Sequence, residues 1–231
     1  MSQNNLSLKC YSPYSGTEEV CLVEGKSGLF YPGVRIENIS FPLTISAVQA
    51  AICSCLGNSD KPVALYQPEP SSELKQHWVD EFNLKTKASL PEKANLYNPL
   101  MNLNINIHET LLDLCSNAQT IHSGFPVSAL LETDDGYIPG VNVETNAWGL
   151  GLCAERVALS RAVSAGYTLY LGLHIHAPKG EFSSPCGACR QVLAEWMPDK
   201  RISLYHGDGT RSSHFTSHLL PYGFTTSSLN K

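Results

Sequence analysis

The chain contains an imperfect copy of part of itself, and this limits its fold more than any single motif does. Gly33-Val34-Arg35-Ile36-Glu37 through Ala47-Val48 aligns without gaps on Gly140-Val141-Asn142-Val143-Glu144 through Ala154-Glu155. Identities are few, but the order of patterns agrees: β-β-α-β-α in the first half and β-β-α-β-α-β in the second. A unit that occurs twice is expected to fold twice, as two related α/β domains, each a sheet covered by helices. The boundary is expected in 83–106, which has two prolines, three lysines, several asparagines and little periodicity. Domains of 1–95 and 96–231 follow.

The copies differ where chemistry would sit. Ser46 and Val48 fall opposite Cys153 and Glu155, while Ser72 and Lys75 fall opposite Cys186 and Cys189. The second half therefore has Cys186-Gly187-Ala188-Cys189 together with Cys153 some thirty residues earlier, three soft ligands for one ion. Zinc is the natural occupant, and three protein ligands leave a tetrahedral position open for water. Glu155, two residues after the first thiol, is placed to move that water's protons. A hydrolytic metal centre in the second half, and none in the first, is the expectation.

Composition narrows the setting. Of 231 residues, 42% are hydrophobic and 16% charged, so the chain is globular in character. A net charge of −5 offers no basic field for a polynucleotide, though a single nucleoside needs only a pocket. The first residues lack the positive and apolar regions of a secretory signal, and the apolar stretch 45–56 is too short to span a bilayer. A cytoplasmic protein with no membrane contact is expected, its remaining five cysteines reduced thiols.

Local patterns give the elements. A hairpin is expected over 20–34, a mostly apolar helix over 43–56, a short strand over 63–66 and a helix over 70–82. In the second half an amphipathic helix is expected over 107–121 and a strand pair around Asp134-Asp135-Gly136. A buried helix over 151–165 should end at Gly166, and a strand follows over 168–177. A helix over 186–197 stopped by Pro198 and a strand over 201–205 complete the pattern, which suggests a mostly parallel sheet. Trp78 and Trp196 are expected in the core, and alternation puts His174 and His176 on one strand face as core or interface residues.

Cys153-Ala154-Glu155-Arg156 and Pro185-Cys186-Gly187-Ala188-Cys189 resemble the paired motifs of cytidine deaminases, in particular the three-cysteine type acting on free nucleosides. The likeness covers 112–224, including Phe125-Pro126-Val127, Arg190-Gln191 and Leu219 through Phe224, and the first half has the family's Tyr-x-Pro-Tyr-Ser stretch at Tyr11 to Ser15. The resemblance implies two cytidine-deaminase-like three-layer domains, each a mixed sheet flanked by helices, the first degenerate. It implies one Zn²⁺ per chain on Cys153, Cys186 and Cys189, and deamination of cytidine and 2′-deoxycytidine by a zinc-activated water with Glu155 as proton shuttle. Asn142 and Glu144 would hold the ribose, the Ala154 N–H would meet the base carbonyl, and Phe125 would pack on the base. Phe224 would be the aromatic shared between subunits, and Arg156 would donate to a ligand sulfur. Departures are His122, where the family has Tyr, and Trp148-Gly149, where it has Tyr-Pro.

Homotetrameric relatives complete one another's pockets. One live and one degenerate copy would accordingly pair as a homodimer that mimics a tetramer, with Tyr14 or Phe41 lining or supporting a live pocket. Competing readings are a redox pair or zinc knuckle at Cys186/Cys189, the same chemistry on another aminated base, and a non-catalytic zinc module. The last predicts loss of the glutamate, which the first half shows and the second does not.

Overall fold

A computed structural model describes residues 3–68 and 73–225. A short helix α1 (Gln3–Ser7) precedes the hairpin β1 (Val20–Gly25) and β2 (Phe30–Val34), which pairs antiparallel across a turn at Gly28. A 3₁₀ turn at Phe41–Leu43 leads to α2 (Ala47–Leu56), whose Ser46 hydroxyl caps it by accepting the Gln49 N–H. Then come β3 (Pro62–Tyr66), α3 (Glu73–Phe82) and β4 (Lys85–Lys87), giving the sheet order β2-β1-β3-β4.

The second half repeats the plan. After α4 (Ile107–Leu114) come β5 (Ser128–Glu132) and β6 (Tyr137–Val141), a 3₁₀ turn at Trp148–Leu150, and α5 (Ala154–Ala165). Next are β7 (Gly172–His176), α6 (Gly187–Trp196), β8 (Arg201–Tyr205), β9 (Arg211–Phe215) and a single turn, α7 (Thr216–Leu219). The sheet order is β6-β5-β7-β8-β9. Two mixed sheets flanked by helices are the α/β architecture expected from the duplication.

Equivalent backbone positions make equivalent contacts. Tyr11 bridges Ile36 and Ile36 bridges Ile45; Gln119 bridges Val143 and Val143 bridges Leu152. A Cβ on Gly33 would lie 2.0 Å from the Ala47 carbonyl oxygen, and one on Gly140 would lie 2.2 Å from that of Ala154. In both halves the glycine lets the first helical turn rest directly on the strand, which any side chain would prevent.

The halves meet along α2 and α5. Nearly every residue of these two helices is buried, as expected of a helix covered on all sides, and one apolar core runs through both halves. Arg161 of α5, 4% exposed, donates to the Ser54 hydroxyl and carbonyl of α2 (3.1 and 2.7 Å) and to the Pro139 carbonyl (2.7 Å). At the other end of the seam, Glu195 of α6 accepts from the hydroxyls of Tyr11 and Tyr14 (3.0 and 2.8 Å). It also accepts from the Asn38 amide and the Ile39 N–H (2.7 and 2.8 Å). All four donors belong to the first half, and burial followed by the Glu195 charge pushes the Tyr11 phenol up to about 12.

Several expectations need correcting. The second sheet is mostly antiparallel, with only β7–β8 parallel, because the hairpin β5–β6 lies on the edge beside β7. The helix expected over 107–121 stops at Leu114 and closes with a 3₁₀ turn, since Gln119 must extend to bridge Val143. The connector is not structureless: β4 pairs with β3, and Asn95 and Tyr97 bond the backbone of Phe30. Strand β9 was not anticipated. Its Arg-Ser-Ser-His-Phe sequence lies on an edge and buries no apolar stripe, so it lacks the period-two signal. Trp78 is buried and Trp196 packs on Tyr11, as expected of core residues. Ser72 lies outside the described residues, as does the side chain of Leu74.

Candidate active site

Two helix N-termini converge beside β7. Cys153 precedes α5, Cys186 is the N-cap residue of α6, and Cys189 lies in the first turn of α6. The three sulfurs lie within 4.8 Å of one another, with Cys153 and Cys186 3.7 Å apart. Among the described residues no other group of Cys, His, Asp or Glu side chains has metal-holding spacing. Unpaired N–H groups and the positive end of each helix favour thiolates here. The sulfurs nevertheless compete for charge. Cys186 is driven down to about 2 by its sulfur neighbours and by the N–H groups of Ala188 and Cys189, while Cys153 and Cys189 are pushed up. A cation among them would let all three ionise, so the donor set fits a soft divalent metal. Arg190 braces the entry to α6, donating to the Pro185 carbonyl (2.8 Å) and the Ser184 hydroxyl (2.6 Å).

Glu155, 4% exposed, lies in the first turn of α5 and lines a cleft of about 390 Å³ with Cys153 and Cys186. Burial raises its carboxyl to about 7, helped by charge on Cys186 and opposed by its own N–H, Cys189 and Arg156. A group near neutrality at a metal cluster can both take and return a proton at physiological pH. Ala154 starts α5 and is fully buried.

Phe125, Asn142 and Glu144 line the same cleft. The Asn142 amide accepts from the Val127 N–H (2.8 Å) and donates to the Phe125 carbonyl (2.9 Å), so it also fixes the loop that presents Phe125. Glu144 accepts from the N–H groups of His122 and Ser123 (2.8 and 3.1 Å) on one oxygen and from the Ser123 hydroxyl on the other. Burial alone would raise its pKa, but these three bonds outweigh it and hold the carboxylate ionised. Three of about four acceptor positions are used, leaving one for a ligand hydroxyl.

Arg156 and Phe224 are not among the residues that line this cleft. Arg156 does not bond a cysteine sulfur: its Nη2 crosses to the Leu43 carbonyl of the first half (3.1 Å), and its Nε has no partner. It lines the cavity of the first half. Phe224 is 47% exposed and lies outside the cleft, held by its carbonyl to the Gln191 amide (2.6 Å). His174 and His176 are likewise outside the sulfur cluster, His176 bonding the Tyr205 carbonyl at 2.9 Å. Residues not singled out as binding residues also form the cleft: Trp148, 66% exposed and edge-on to His122, Ser123, and Phe182, stacked on His206. Ser123 could have been found as the counterpart of Ser15. Phe182 lies in an aperiodic loop that gives no signal.

The first half has a cavity in the corresponding place, larger at about 610 Å³, lined by Ser15, Arg35, Glu37, Ser46, Gln49 and Arg156 among others. Glu37 is held as Glu144 is, by the N–H groups of Tyr14 and Ser15 and the Ser15 hydroxyl. Arg35, which replaces Asn142, adds a fourth bond at 3.0 Å and fills the acceptor position left open in Glu144. No thiol lines this cavity. Size therefore does not identify the chemical site; the donor groups do.

A family model described as the cytidine and deoxycytidylate deaminase zinc-binding region matches residues 101–205. A cytidine deaminase of Halalkalibacterium halodurans is 40% identical over 111 residues, which cover 47% of this chain and 84% of that protein. A probable cytidine deaminase of Dictyostelium discoideum is 37% identical over 127 residues, 52% of this chain and 86% of that protein. A solved cytidine deaminase structure from Burkholderia pseudomallei aligns over 52% of this chain and all of its own, at 33% identity and a TM-score of 0.49. On the curated relatives, aligned over most of their length, the chain belongs to the cytidine deaminase family.

The Glu37 cradle gives a pH prediction. Burial would raise the Glu37 pKa, but bonds from Ser15, Arg35 and Tyr14 bring it to about 2, below the ~4.3 of an unfolded chain. The stabilisation is complete above ~4.3 and is lost as pH falls towards 2. Chemical denaturation should find wild type more stable than Glu37→Gln at pH 6, with the difference shrinking between about pH 4.5 and pH 2.

Proposed function

We propose that the second half catalyses hydrolytic deamination of cytidine and 2′-deoxycytidine to uridine and 2′-deoxyuridine, releasing ammonia, as a step of pyrimidine salvage in the cytoplasm. The observation that carries this is Glu155, buried with a carboxyl pKa near 7 beside three converging thiols in a cleft that ends at Glu144. Cys153, Cys186 and Cys189 would hold one zinc per chain. When bound, zinc supplies a Lewis acid that lowers the pKa of a water to about 7.

Glu155 takes a proton from the attacking water and passes it to N3 of the base, making C4 electrophilic. The water oxygen adds to C4. Glu155 then carries the second proton to the exocyclic nitrogen, which leaves as ammonia, and the ring keeps the oxygen as the uracil carbonyl. The base carbonyl is oriented by the Ala154 N–H and the ring rests on Phe125. The open acceptor position of Glu144, with the remaining capacity of Asn142, receives the ribose hydroxyls. Phe182 and Trp148 supply apolar parts of the cleft wall.

Residues 1–95 form a non-catalytic domain and 96–231 the catalytic one. Val48 in place of Glu155, Ser46 in place of Cys153 and Arg35 against Glu37 remove the proton shuttle, a ligand and the hydroxyl position from the first half. Two chains form a homodimer that reproduces a tetrameric arrangement. Exposed Phe41 (84%) and Trp148, equivalent residues on the rims of the two cavities, are the surfaces that pair. Phe224 reaches a partner's cleft by the same assembly.

Glu155→Gln should keep its metal and lower kcat for cytidine at least about a hundredfold, followed by the loss of absorbance as cytidine becomes uridine. Turnover near wild type in the metal-loaded variant would remove the shuttle assignment. Light scattering should give twice the chain mass for the active protein, and an active monomer would overturn the dimer.

A further inference from the structure

The seam between α2 and α5 is crossed by a reciprocal pair of hydrogen bonds. Arg156 Nη2 of the second half donates to the Leu43 carbonyl of the first at 3.1 Å; Gln49 Nε2 of the first half donates to the Leu150 carbonyl of the second at 2.9 Å. Leu43 and Leu150 are equivalent in the gapless alignment, and Gln49 and Arg156 occupy the next position beyond it. Further along the same register, the equivalent residues Ser54 and Arg161 bond each other. Exchange of contacts between equivalent positions is the signature of a local two-fold axis, here within one chain.

The two carbonyls have different consequences. Leu43 ends the equivalent turn of the first half, whose Phe41 and Pro42 line a cavity that Leu150 also borders and in which no metal-ligand cluster lies among the described residues. Leu150 ends the 3₁₀ turn that carries Trp148 into the catalytic cleft, and three residues later the chain reaches Cys153. Within this turn the Leu150 N–H bonds the Ala147 carbonyl (2.8 Å), and Trp148 faces solvent over most of its surface. The Gln49 amide, on an almost fully buried side chain, bonds the turn itself from the other half, and Glu81 of α3 accepts the Asn146 N–H just before it (2.9 Å).

We propose that Gln49 is a positioning residue of the catalytic cleft, holding the Leu150 carbonyl so that the Trp148 turn keeps the wall against which the nucleoside binds. The role of the first half is thereby a specific contact in substrate binding in addition to general support. The proposal rests on the deaminase reading given above.

The test measures cytidine kinetics and backbone hydrogen exchange in the full-length, metal-loaded protein. Gln49→Met removes the donor at nearly constant volume, and KM should rise about fivefold to tenfold with kcat within about twofold. Exchange in 148–153 should speed up on the order of tenfold. Gln49→Arg restores a donor of the kind the second half itself uses at this position, and the cavity beside it has room for the larger side chain. It should return KM and exchange towards wild type. If Gln49→Met does not fold, Gln49→Glu, which keeps the shape and loses the donor, is read in its place. Unchanged KM and exchange in the donor-less variant would overturn the proposal, as would a Gln49→Arg protein of wild-type stability that behaves like Gln49→Met. A merely structural role would lower the melting temperature without splitting KM from kcat. Absence of cytidine turnover in wild type would instead remove the deaminase reading, and the exchange data would still decide whether Gln49 holds the turn.

Discussion

The catalytic half depends on how the first turn of α5 is seated. Gly140 lets that turn rest against β6 at a distance no side chain would permit, and three functions diverge from it. Cys153 points into the sulfur cluster, Glu155 into the cleft, and Arg156 across the seam to the first half. A small shift of this turn would move a metal ligand, a proton carrier and a domain contact together. The turn is held by the strand beneath it and by the bond from Arg156 to the Leu43 carbonyl, while Arg161 ties the same helix to Ser54 of α2 further along. Close packing transmits strain well, so a site built this way is rigid.

The first half has kept the geometry of the unit and exchanged its chemistry. Gly33, Ser46 as N-cap, and the Glu37 cradle repeat the arrangement around Gly140, Cys153 and Glu144. Around the site, the chemical change lies in a few side chains. A hydroxyl stands where a thiol would bind metal, Val48 replaces an acid, and Arg35 saturates a carboxylate that would otherwise have an acceptor to spare. Those substitutions leave the backbone intact, and the half still contributes Tyr11, Tyr14, Asn38 and Ile39 to a single carboxylate on α6. Glu195 belongs to none of the motifs, yet it fixes α6, which carries two of the three cysteines, to the first half, as Glu81 of α3 accepts the Asn146 N–H of the second.

Much of this was legible in the sequence, for identifiable reasons. Hairpins and buried helices announce themselves because burial imposes a period, and Gly166 and Pro198 mark two of the helix ends. The cysteines and Glu155 were legible because metal chemistry needs particular side chains at particular spacings. Glu195, Gln49 and Phe182 were not, since their partners lie far away in the chain and a lone polar or aromatic residue has no pattern of its own. The bond from Arg156 to the Leu43 carbonyl was not legible either, because adjacency to Glu155 in sequence says nothing about which side of the helix a side chain leaves. The mostly parallel sheet failed because the order of elements does not fix on which edge a hairpin lies.

The central claim is one metal centre, in the second half only. Metal analysis of the purified full-length chain tests it most directly, alongside a variant in which Cys153, Cys186 and Cys189 are all replaced by serine. The account predicts one zinc per chain in the wild type and none in the variant. Two zinc ions per chain, or zinc retained by the variant, would contradict it.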